Sequence, residues 1–265
     1  MYEKYETDIS QSYLKKVFEA LDEPICLMGG WAVHEYVNRN FQKTRGRGYI
    51  GSRDIDLGFQ ISRKWAEKEL KNSMFAKSLN ILEKELGFEL QGFRLLKQFH
   101  TESKKELTKE AAVKTAPAFI FDLYVDLMVS DVNPNFRKAF GFIPAEELLL
   151  EKVFENPANR LEIELFEKKI YLPSLEVLLA MKLNSAINRD KEHKLLKDLY
   201  DIVALSLYSD KPVDKEKLKV LYKPGAKNKE KLLGILGEYS KDEFWRDLFG
   251  ISGEVAKKTI LAMIE

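Results

Sequence analysis

The segment from Phe119 to Val129 constrains the fold more than any other, because its aromatic and β-branched residues predict a strand. Asp122 and Asp126 fall on one face of that strand, since side chains alternate along it. Apolar residues flank Asp126 on both sides, and an unpaired carboxylate in an apolar strand is costly. Asp126 is therefore the preferred candidate for a residue that binds a cation, with Asp122 in reserve.

A second predicted strand, residues 53–59, carries Asp54 and Asp56 two positions apart, so both carboxylates leave the same face. Two carboxylates placed in this way repel each other, and a divalent cation removes that cost; hard oxygen ligands suit Mg²⁺. A solvated strand face is the alternative, but apolar residues such as Ile55 on the other face place the strand within a sheet. With Asp126 as a third acid, the pattern favours a two-magnesium site for phosphoryl or nucleotidyl transfer.

A pair of glycines separates a buried strand from a helix. The apolar run over residues 25–28 predicts the strand, which ends at Gly29 and Gly30. Such a turn lets backbone amides and a helix N-terminus approach a phosphate closely. A tight turn that needs no ligand is the alternative.

The overall charge excludes one way of binding partners. Lys and Arg number 43 against 42 Asp and Glu, a net charge of +1, so bulk charge cannot hold nucleic acid or an anionic membrane.

Residues 38–52 are polar and rich in glycine, which predicts a loop. Residues 36–53 contain no acid but five basic residues: Arg39, Lys43, Arg45, Arg47 and Arg53. The loop is therefore expected to bind a triphosphate or an RNA backbone, with Tyr49 placed to stack on a base. A mobile, solvated loop is the alternative.

Cysteine usage and hydropathy bear on the compartment. Cys26 is the single cysteine, which excludes an internal disulfide or a zinc cluster, and its apolar neighbours predict a small buried residue. The N-terminus lacks the apolar core of a signal peptide, and no apolar run reaches the roughly 18 residues of a membrane helix. We therefore expect a cytoplasmic protein with no membrane partner.

The order of strand and helix patterns predicts an α+β (α/β) fold in two domains. Residues 1–172 are expected to form a mixed sheet flanked by helices, and residues 173–265 a helical bundle that shares a cleft with it. The other predicted elements are helices over 8–21 and 63–86, a hairpin over 161–172, and helices over about 174–188, 191–208, 214–222, 228–239 and from about 242.

Three motifs together resemble the nucleotidyltransferase superfamily of the DNA polymerase β type. They are the glycine pair in Leu27–Ala32, the Asp-x-Asp of Ser52–Leu57, and Asp126 between Val125 and Leu127. The resemblance implies a nucleotidyltransferase-type mixed sheet in which Asp54, Asp56 and Asp126 are catalytic and hold two Mg²⁺ ions. It also implies nucleoside triphosphate as substrate, bound in part by Gly29, Gly30, Ser52 and Arg53.

The second half of the chain is similar to the AbiEii-like branch, which includes type IV toxins and the MenT nucleotidyltransferase toxins. Lys182, Ala186 and Arg189 share one helical stripe, and Lys197 and Asp198 follow on the next predicted helix. The resemblance implies that Lys182 contacts the triphosphate and that Lys197 and Asp198 line the nucleotide pocket. Ordinary ion pairing on a helix surface is the alternative.

These features together predict a Mg²⁺-dependent nucleotidyltransferase. It would move an NMP from a nucleoside triphosphate to an acceptor hydroxyl and release pyrophosphate. The predicted acceptor is RNA, tRNA-like, and the branch resemblance adds a toxin role with a cognate antitoxin as partner. Transfer to a small molecule or a protein, and a non-catalytic nucleotide-binding module, are the alternatives.

Overall fold

An eight-stranded mixed sheet organises the N-terminal part of the chain, of which the computed structural model describes residues 2–241 and 243–264. The strand order is β3-β4-β5-β2-β1-β8-β7, with β6 paired to β5. Parallel pairs are β2–β5, β1–β8 and β5–β6, and the other pairs are antiparallel. This open mixed sheet with flanking helices confirms the predicted fold class. The strands are β1 (Ile25–Leu27), β2 (Ile55–Phe59), β3 (Glu89–Gln91), β4 (Arg94–His100), β5 (Ile120–Val129), β6 (Ala145–Glu146), β7 (Arg160–Leu165) and β8 (Lys168–Pro173).

Helices make up most of the remaining described residues. They are α1 (Lys4–Ala20), α2 (Gly29–Arg45), α3 (Glu67–Lys71), α4 (Met74–Lys84), α5 (Lys109–Lys114), α6 (Phe136–Phe140), α7 (Leu149–Glu155), α8 (Leu175–Ala186), α9 (Glu192–Tyr208), α10 (Lys215–Leu221), α11 (Ala226–Tyr239), α12 (Phe244–Phe249) and α13 (Gly253–Ile264). None of these helices combines the length and the apolar character that crossing a membrane requires.

The chain divides into two compact units. The sheet unit comprises Tyr2–Trp31 and Ile50–Pro173, and the helical unit comprises Ala32–Tyr49 and the chain from Ser174 onward. The predicted domains, 1–172 and 173–265, place residues 32–49 with the sheet instead. Phe41 explains why this segment belongs with the helices, because its ring packs in the helical unit. Its centroid lies 5.1 Å, 4.9 Å and 6.0 Å from those of Tyr49, Tyr208 and Phe249.

Strand β5 shows why the sheet has one apolar and one polar face. The side chains of Phe121, Leu123, Val125, Leu127 and Val129 are buried, whereas the alternating residues between them are only half-buried. This period of two is the one that the sequence indicates, and it places Asp122 and Asp126 on the half-buried face. The parallel register with β2 pairs Asp126 with Asp56, so the acids of both strands share that face.

The predicted loop over 38–52 is wrong in its first half, because α2 continues to Arg45. Val37 and Phe41 lie four residues apart and are fully buried, so the polar residues around them form the solvated side of a helix. The first residue that can end the helix easily is Gly46, whose φ is +69°.

Three other predicted helices differ from the structure in their bounds. The predicted helix over 8–21 begins earlier, at Lys4, where Glu3 N–H donates to the Glu6 carboxylate (2.9 Å). The predicted helix over 63–86 is interrupted, because the Ser73 hydroxyl accepts from Ala76 N–H and starts α4 anew. The final predicted segment is two helices, α12 and α13, separated at Gly250 with φ +69°. Asp242, near which that segment is predicted to begin, lies outside the described residues, as do Met1 and Glu265.

Cys26 is buried in β1 as predicted, and burial raises the pKa of its thiol to about 12. Because the thiolate is the reactive form, we expect no reaction of the folded protein with Ellman's reagent at about pH 8. Complete reaction is expected once denaturant unfolds the chain, as followed by absorbance. Reaction of the native protein at the unfolded rate would contradict the buried position.

Candidate functional site

The predicted acids lie on the two central strands of the sheet. Asp54 immediately precedes β2, Asp56 lies within β2, and Asp126 is the residue of β5 in register with Asp56. All three side chains are half-buried. Since residues two apart on a strand share a face, the three carboxylates are carried on one face of the sheet unit, here called the acid face.

Arg94 holds two of these acids together. Its Nε and Nη2 donate to the two carboxylate oxygens of Asp126 at 2.6 and 2.7 Å, which is a bidentate pair. Nη2 also lies 3.1 Å from Asp54 Oδ2. The position is set by the backbone, because Arg94 is the residue of β4 in register with Asp126. Sequence reasoning missed Arg94, since only the β4–β5 register brings it to the acids.

The environment of Arg94 favours its charged form. Its guanidinium lies 3.8 Å from the centre of the Tyr124 ring, a cation–π contact on the acid face. Burial alone would lower the pKa of Arg94, but the hydrogen bonds and negative charges of Asp126 and Asp54 outweigh it and raise the pKa. The acid face therefore carries a resident positive charge.

The donor chemistry of the acid face fits Mg²⁺, because three carboxylates supply the hard oxygen ligands that this ion prefers. Among the described residues, however, no three His, Cys, Asp or Glu side chains are gathered closely enough to hold one metal ion. The guanidinium of Arg94 is bonded to the same oxygens of Asp54 and Asp126 that a metal ion would use. The metal ligands thus fit in type, and Arg94 is bonded to two of the three carboxylates.

Gly29 lies against Asp56. Its φ is +61°, and a Cβ built on it would lie 1.8 Å from Asp56 Oδ2. The neighbouring Met28 N–H donates to the Asp56 carbonyl at 2.9 Å, which fixes the turn beside β2. Helix α2 begins at Gly29, so the N-terminus of this helix starts beside Asp56. The glycine is needed for this close approach whether or not a phosphate binds there.

Replacing Gly29 with alanine is expected to displace the Asp56 carboxylate and to weaken Mn²⁺ binding to the acid face by about 10–100-fold, as measured by calorimetry. Gly141→Ala is the matched control, because Gly141 also has a positive φ (+81°) but a Cβ placed on it would have nothing within 4 Å. Both variants carry the same kind of backbone strain, so they should lose similar unfolding free energy from it, about 1–2 kcal/mol. Equal Mn²⁺ affinity of the two variants would contradict a special role for Gly29.

Two other predicted nucleotide-binding residues have different surroundings. Ser52 is buried. Arg53 lies 3.1 Å from Glu6 Oε1 and over the ring of Phe121, 5.2 Å from its centre. Because Phe121 leaves β5 on the face opposite to Asp126, the contacts of Arg53 are not with the acid face.

Asp122, the reserve candidate for the third acid, is bound by a neutral side chain. Gln98 Nε2 donates to Asp122 Oδ1 at 2.8 Å, across the β4–β5 pair. The charged hydrogen bonds of Arg94 go to Asp126 instead. This difference favours Asp126 as the acid that acts with Asp54 and Asp56.

The predicted nucleotide contacts of the C-terminal helices form a cluster in the helical unit. Lys182 Nζ lies 2.8 Å from Asp198 Oδ1 and 2.8 Å from Asp201 Oδ2, and Lys197 is also paired with Asp201. Arg189 Nε donates to Asp198 Oδ2 at 2.6 Å. Except for the partly exposed Arg189, these side chains are buried, so the alternative of surface ion pairing does not describe them.

Burial and charge act against each other in this cluster. Burial would raise the pKa of Asp198, but the charges of Lys182 and Arg189 outweigh it and lower the pKa. Burial also lowers the pKa of Lys197, although Asp201 opposes that shift. Both carboxylates are already paired with cations of the chain, which is what a structural network requires. The implied contacts of Lys182, Lys197 and Asp198 with a nucleotide stay predictions.

The arginine-rich segment is not a free binding loop. Arg39 Nη2 lies 3.1 Å from Asp210 Oδ1, and Arg45 and Arg47 both donate to the main-chain carbonyl of Asp247. Tyr49 is buried, and its hydroxyl donates to Asp201 Oδ1 at 2.9 Å. The expectation that Tyr49 stacks on a base is therefore wrong, because its ring is enclosed within the helical unit.

No protein-family description matches the chain, and no curated protein matches it. Among solved structures, the chain is similar to an antigenic nucleotidyltransferase-like protein from Paracoccidioides brasiliensis. The two share 15% sequence identity over 97% of this chain and 93% of that chain, with a TM-score of 0.38.

Proposed function

We propose that the protein is a Mg²⁺-dependent nucleotidyltransferase, which moves an NMP from a nucleoside triphosphate to an acceptor hydroxyl and releases pyrophosphate. The observation that carries the proposal is the acid face: Asp56 and Asp126 stand in register on neighbouring parallel strands, with Asp54 two residues before Asp56. Arg94 pairs with two of these carboxylates, and three carboxylates outnumber one guanidinium, which favours a divalent cation as their ligand.

Asp54, Asp56 and Asp126 are the residues that would hold magnesium, which when bound neutralises polyphosphate charge and lowers the pKa of an attacking hydroxyl. The turn at Gly29 and the first N–H groups of α2 offer donors to the phosphates. In the reaction the acceptor oxygen loses its proton and bonds to the α-phosphorus. The bond from that phosphorus to the bridging oxygen of the β-phosphate breaks, and pyrophosphate leaves.

The acceptor is proposed to be RNA, tRNA-like, with a toxin role as the similarity to the AbiEii-like branch implies. The lysines of residues 215–231 support a polyanionic acceptor better than the arginine-rich segment does. This stretch has seven lysines and two glutamates. Lys223, Lys227, Lys229 and Lys231 are exposed, and no ion pair is described for them. Such a surface suits the phosphate backbone of RNA.

A transfer assay tests the proposed function. Purified protein, Mg²⁺ and each of four α-labelled nucleoside triphosphates in turn are incubated with total RNA from the source organism. The Asp54→Ala, Asp56→Ala double variant is the inactive control, and Glu164→Gln, which removes an exposed acid from β7 of the same sheet, is the matched active control.

We expect one of the four triphosphates to label RNA. The double variant should lose this label, and Glu164→Gln should keep it. Label on a protein or a small molecule would replace the RNA acceptor and keep the chemistry. Binding of triphosphate with no transfer to any of these acceptors would overturn the enzymatic proposal in favour of a binding module.

A further inference from the structure

Resting on the function proposed above, we propose that Arg94 is a further triphosphate-binding residue. Its guanidinium pairs with Asp54 and Asp126, and a divalent cation that binds these carboxylates would release it to the phosphates of the incoming triphosphate. Arg94 thereby couples metal binding to triphosphate binding.

The first step is a competition for the same oxygen atoms. Arg94 bonds both oxygens of Asp126 and one oxygen of Asp54, at 2.6–3.1 Å. A divalent cation on those oxygens would stand within a few ångströms of the guanidinium, where like charges repel strongly in a partly buried site. The two cations therefore exclude each other, and Arg94 must give up the carboxylates when a metal ion binds.

The second step concerns what Arg94 can do after its release. The backbone of Arg94 is fixed by its pairing with Asp126 in β4–β5, so only the long side chain reorients. The Tyr124 ring, 3.8 Å away, gives the guanidinium a surface on which it stays near the acid face. A planar guanidinium matches two phosphate oxygens as well as it matches a carboxylate, so the anion that replaces Asp126 is the polyphosphate itself.

The third step is the charge balance. Without a metal ion, three carboxylates outnumber one guanidinium, and the acid face repels a triphosphate. With divalent cations bound, the carboxylates are neutralised and Arg94 is an unpaired donor beside them. Because coupling between two ligands is reciprocal, each should strengthen the binding of the other. A residue that served only as a permanent counter-ion would produce no such coupling.

Mn²⁺ binding, measured by calorimetry and by the spectrum of the bound ion, tests this inference without requiring turnover. Three proteins are compared with and without a non-hydrolysable nucleoside triphosphate: the wild type, Arg94→Gln and Arg160→Gln. Arg160 is the matched control, because it is also a sheet arginine stacked on a tyrosine, 4.4 Å from the Tyr171 ring. Its hydrogen bonds go to main-chain carbonyls, and its ion pair is with Glu162, which is not one of the three acids.

Arg94→Gln is expected to bind Mn²⁺ about 5–150-fold more tightly than the wild type in the absence of triphosphate. Triphosphate should tighten Mn²⁺ binding in the wild type and in Arg160→Gln, and much less in Arg94→Gln. Mn²⁺ should also raise the melting temperature of Arg94→Gln more than that of the wild type, because the variant leaves the carboxylates of Asp54 and Asp126 without their guanidinium.

Equal Mn²⁺ affinity and equal coupling in all three proteins would overturn the role of Arg94. If Arg94→Gln is not folded without metal, Arg94→Lys is the second variant: it keeps the charge and loses the bidentate pair, so it should bind Mn²⁺ more tightly than the wild type by a smaller factor. Transfer activity separates the two proposals. If the wild type transfers label but Arg94→Gln binds Mn²⁺ as the wild type does, only the role of Arg94 is contradicted. If Mn²⁺ affinity changes as expected but no acceptor is labelled, only the proposed function is contradicted.

Discussion

Replacing Asp56 with asparagine is expected to abolish nucleotidyl transfer and to leave the melting temperature unchanged or slightly raised. Asparagine keeps the shape of the side chain that lies against Gly29, but it removes one of the charges that would hold Mg²⁺. Catalysis in such a site consists of positioning and charge neutralisation, so the rate should fall by at least about 10²–10³-fold. Pyrophosphate release and thermal unfolding measure the two effects on the same protein.

Asp122→Asn is the comparison for this variant. Asp122 lies on the same face of the sheet, but its partner is the neutral Gln98. We expect Asp122→Asn to retain most activity and Asp126→Asn to lose it. Full activity in Asp56→Asn would remove that residue from the proposed metal site. Loss of activity together with a large fall in melting temperature would indicate a structural role instead.

Replacing Asp201 with asparagine is expected to lower the free energy of unfolding by about 3–5 kcal/mol, because it breaks a buried ion-pair network on one side only. Asp201 is fully buried and pairs with both Lys182 and Lys197, and Tyr49 donates to it at 2.9 Å. The variant leaves two buried ammonium groups short of negative charge. Urea unfolding followed by circular dichroism measures the loss.

Two further variants show whether burial of charge is the cause. Asp210→Asn removes an exposed acid paired with Arg39, and it should cost no more than about 1 kcal/mol. Combining Asp201→Leu with Lys197→Met removes both charges of one pair and should recover much of the stability lost in Asp201→Asn. A loss of equal size in Asp210→Asn and Asp201→Asn would contradict the explanation.

The features that were predictable from the sequence are local ones. The alternation of β5 fixes which of its residues share a face, and the apolar run before Gly29 fixes where a strand gives way to a helix. Both depend on neighbours in the chain, so a single sequence contains the information. The hairpin predicted over 161–172 is likewise present as β7 and β8, with Phe166 and Glu167 between them.

The features that were not predictable depend on tertiary contacts. Polar residues after Val37 indicated a loop, but the burial of Phe41 in the helical unit keeps that segment helical to Arg45. Arg94 meets the acid face only through the register of β4 against β5. Lys182, Lys197 and Asp198 were predicted to contact a nucleotide, with surface ion pairing as the alternative. Their buried ion-pair cluster was not predicted, because helical spacing alone does not tell which stripe is buried.

The position of Asp56 and Asp126 within the sheet has a consequence for how the site can respond to ligands. Strands β2 and β5 are paired on both sides, whereas β3 and β7 form the edges of the sheet. Amide hydrogens of β2 and β5 should therefore exchange with solvent only when the whole sheet unit opens, and those of the edges much sooner. The carboxylates stand on the slowest-exchanging backbone of that unit, so side-chain rotation, and not strand movement, must accommodate whatever binds there.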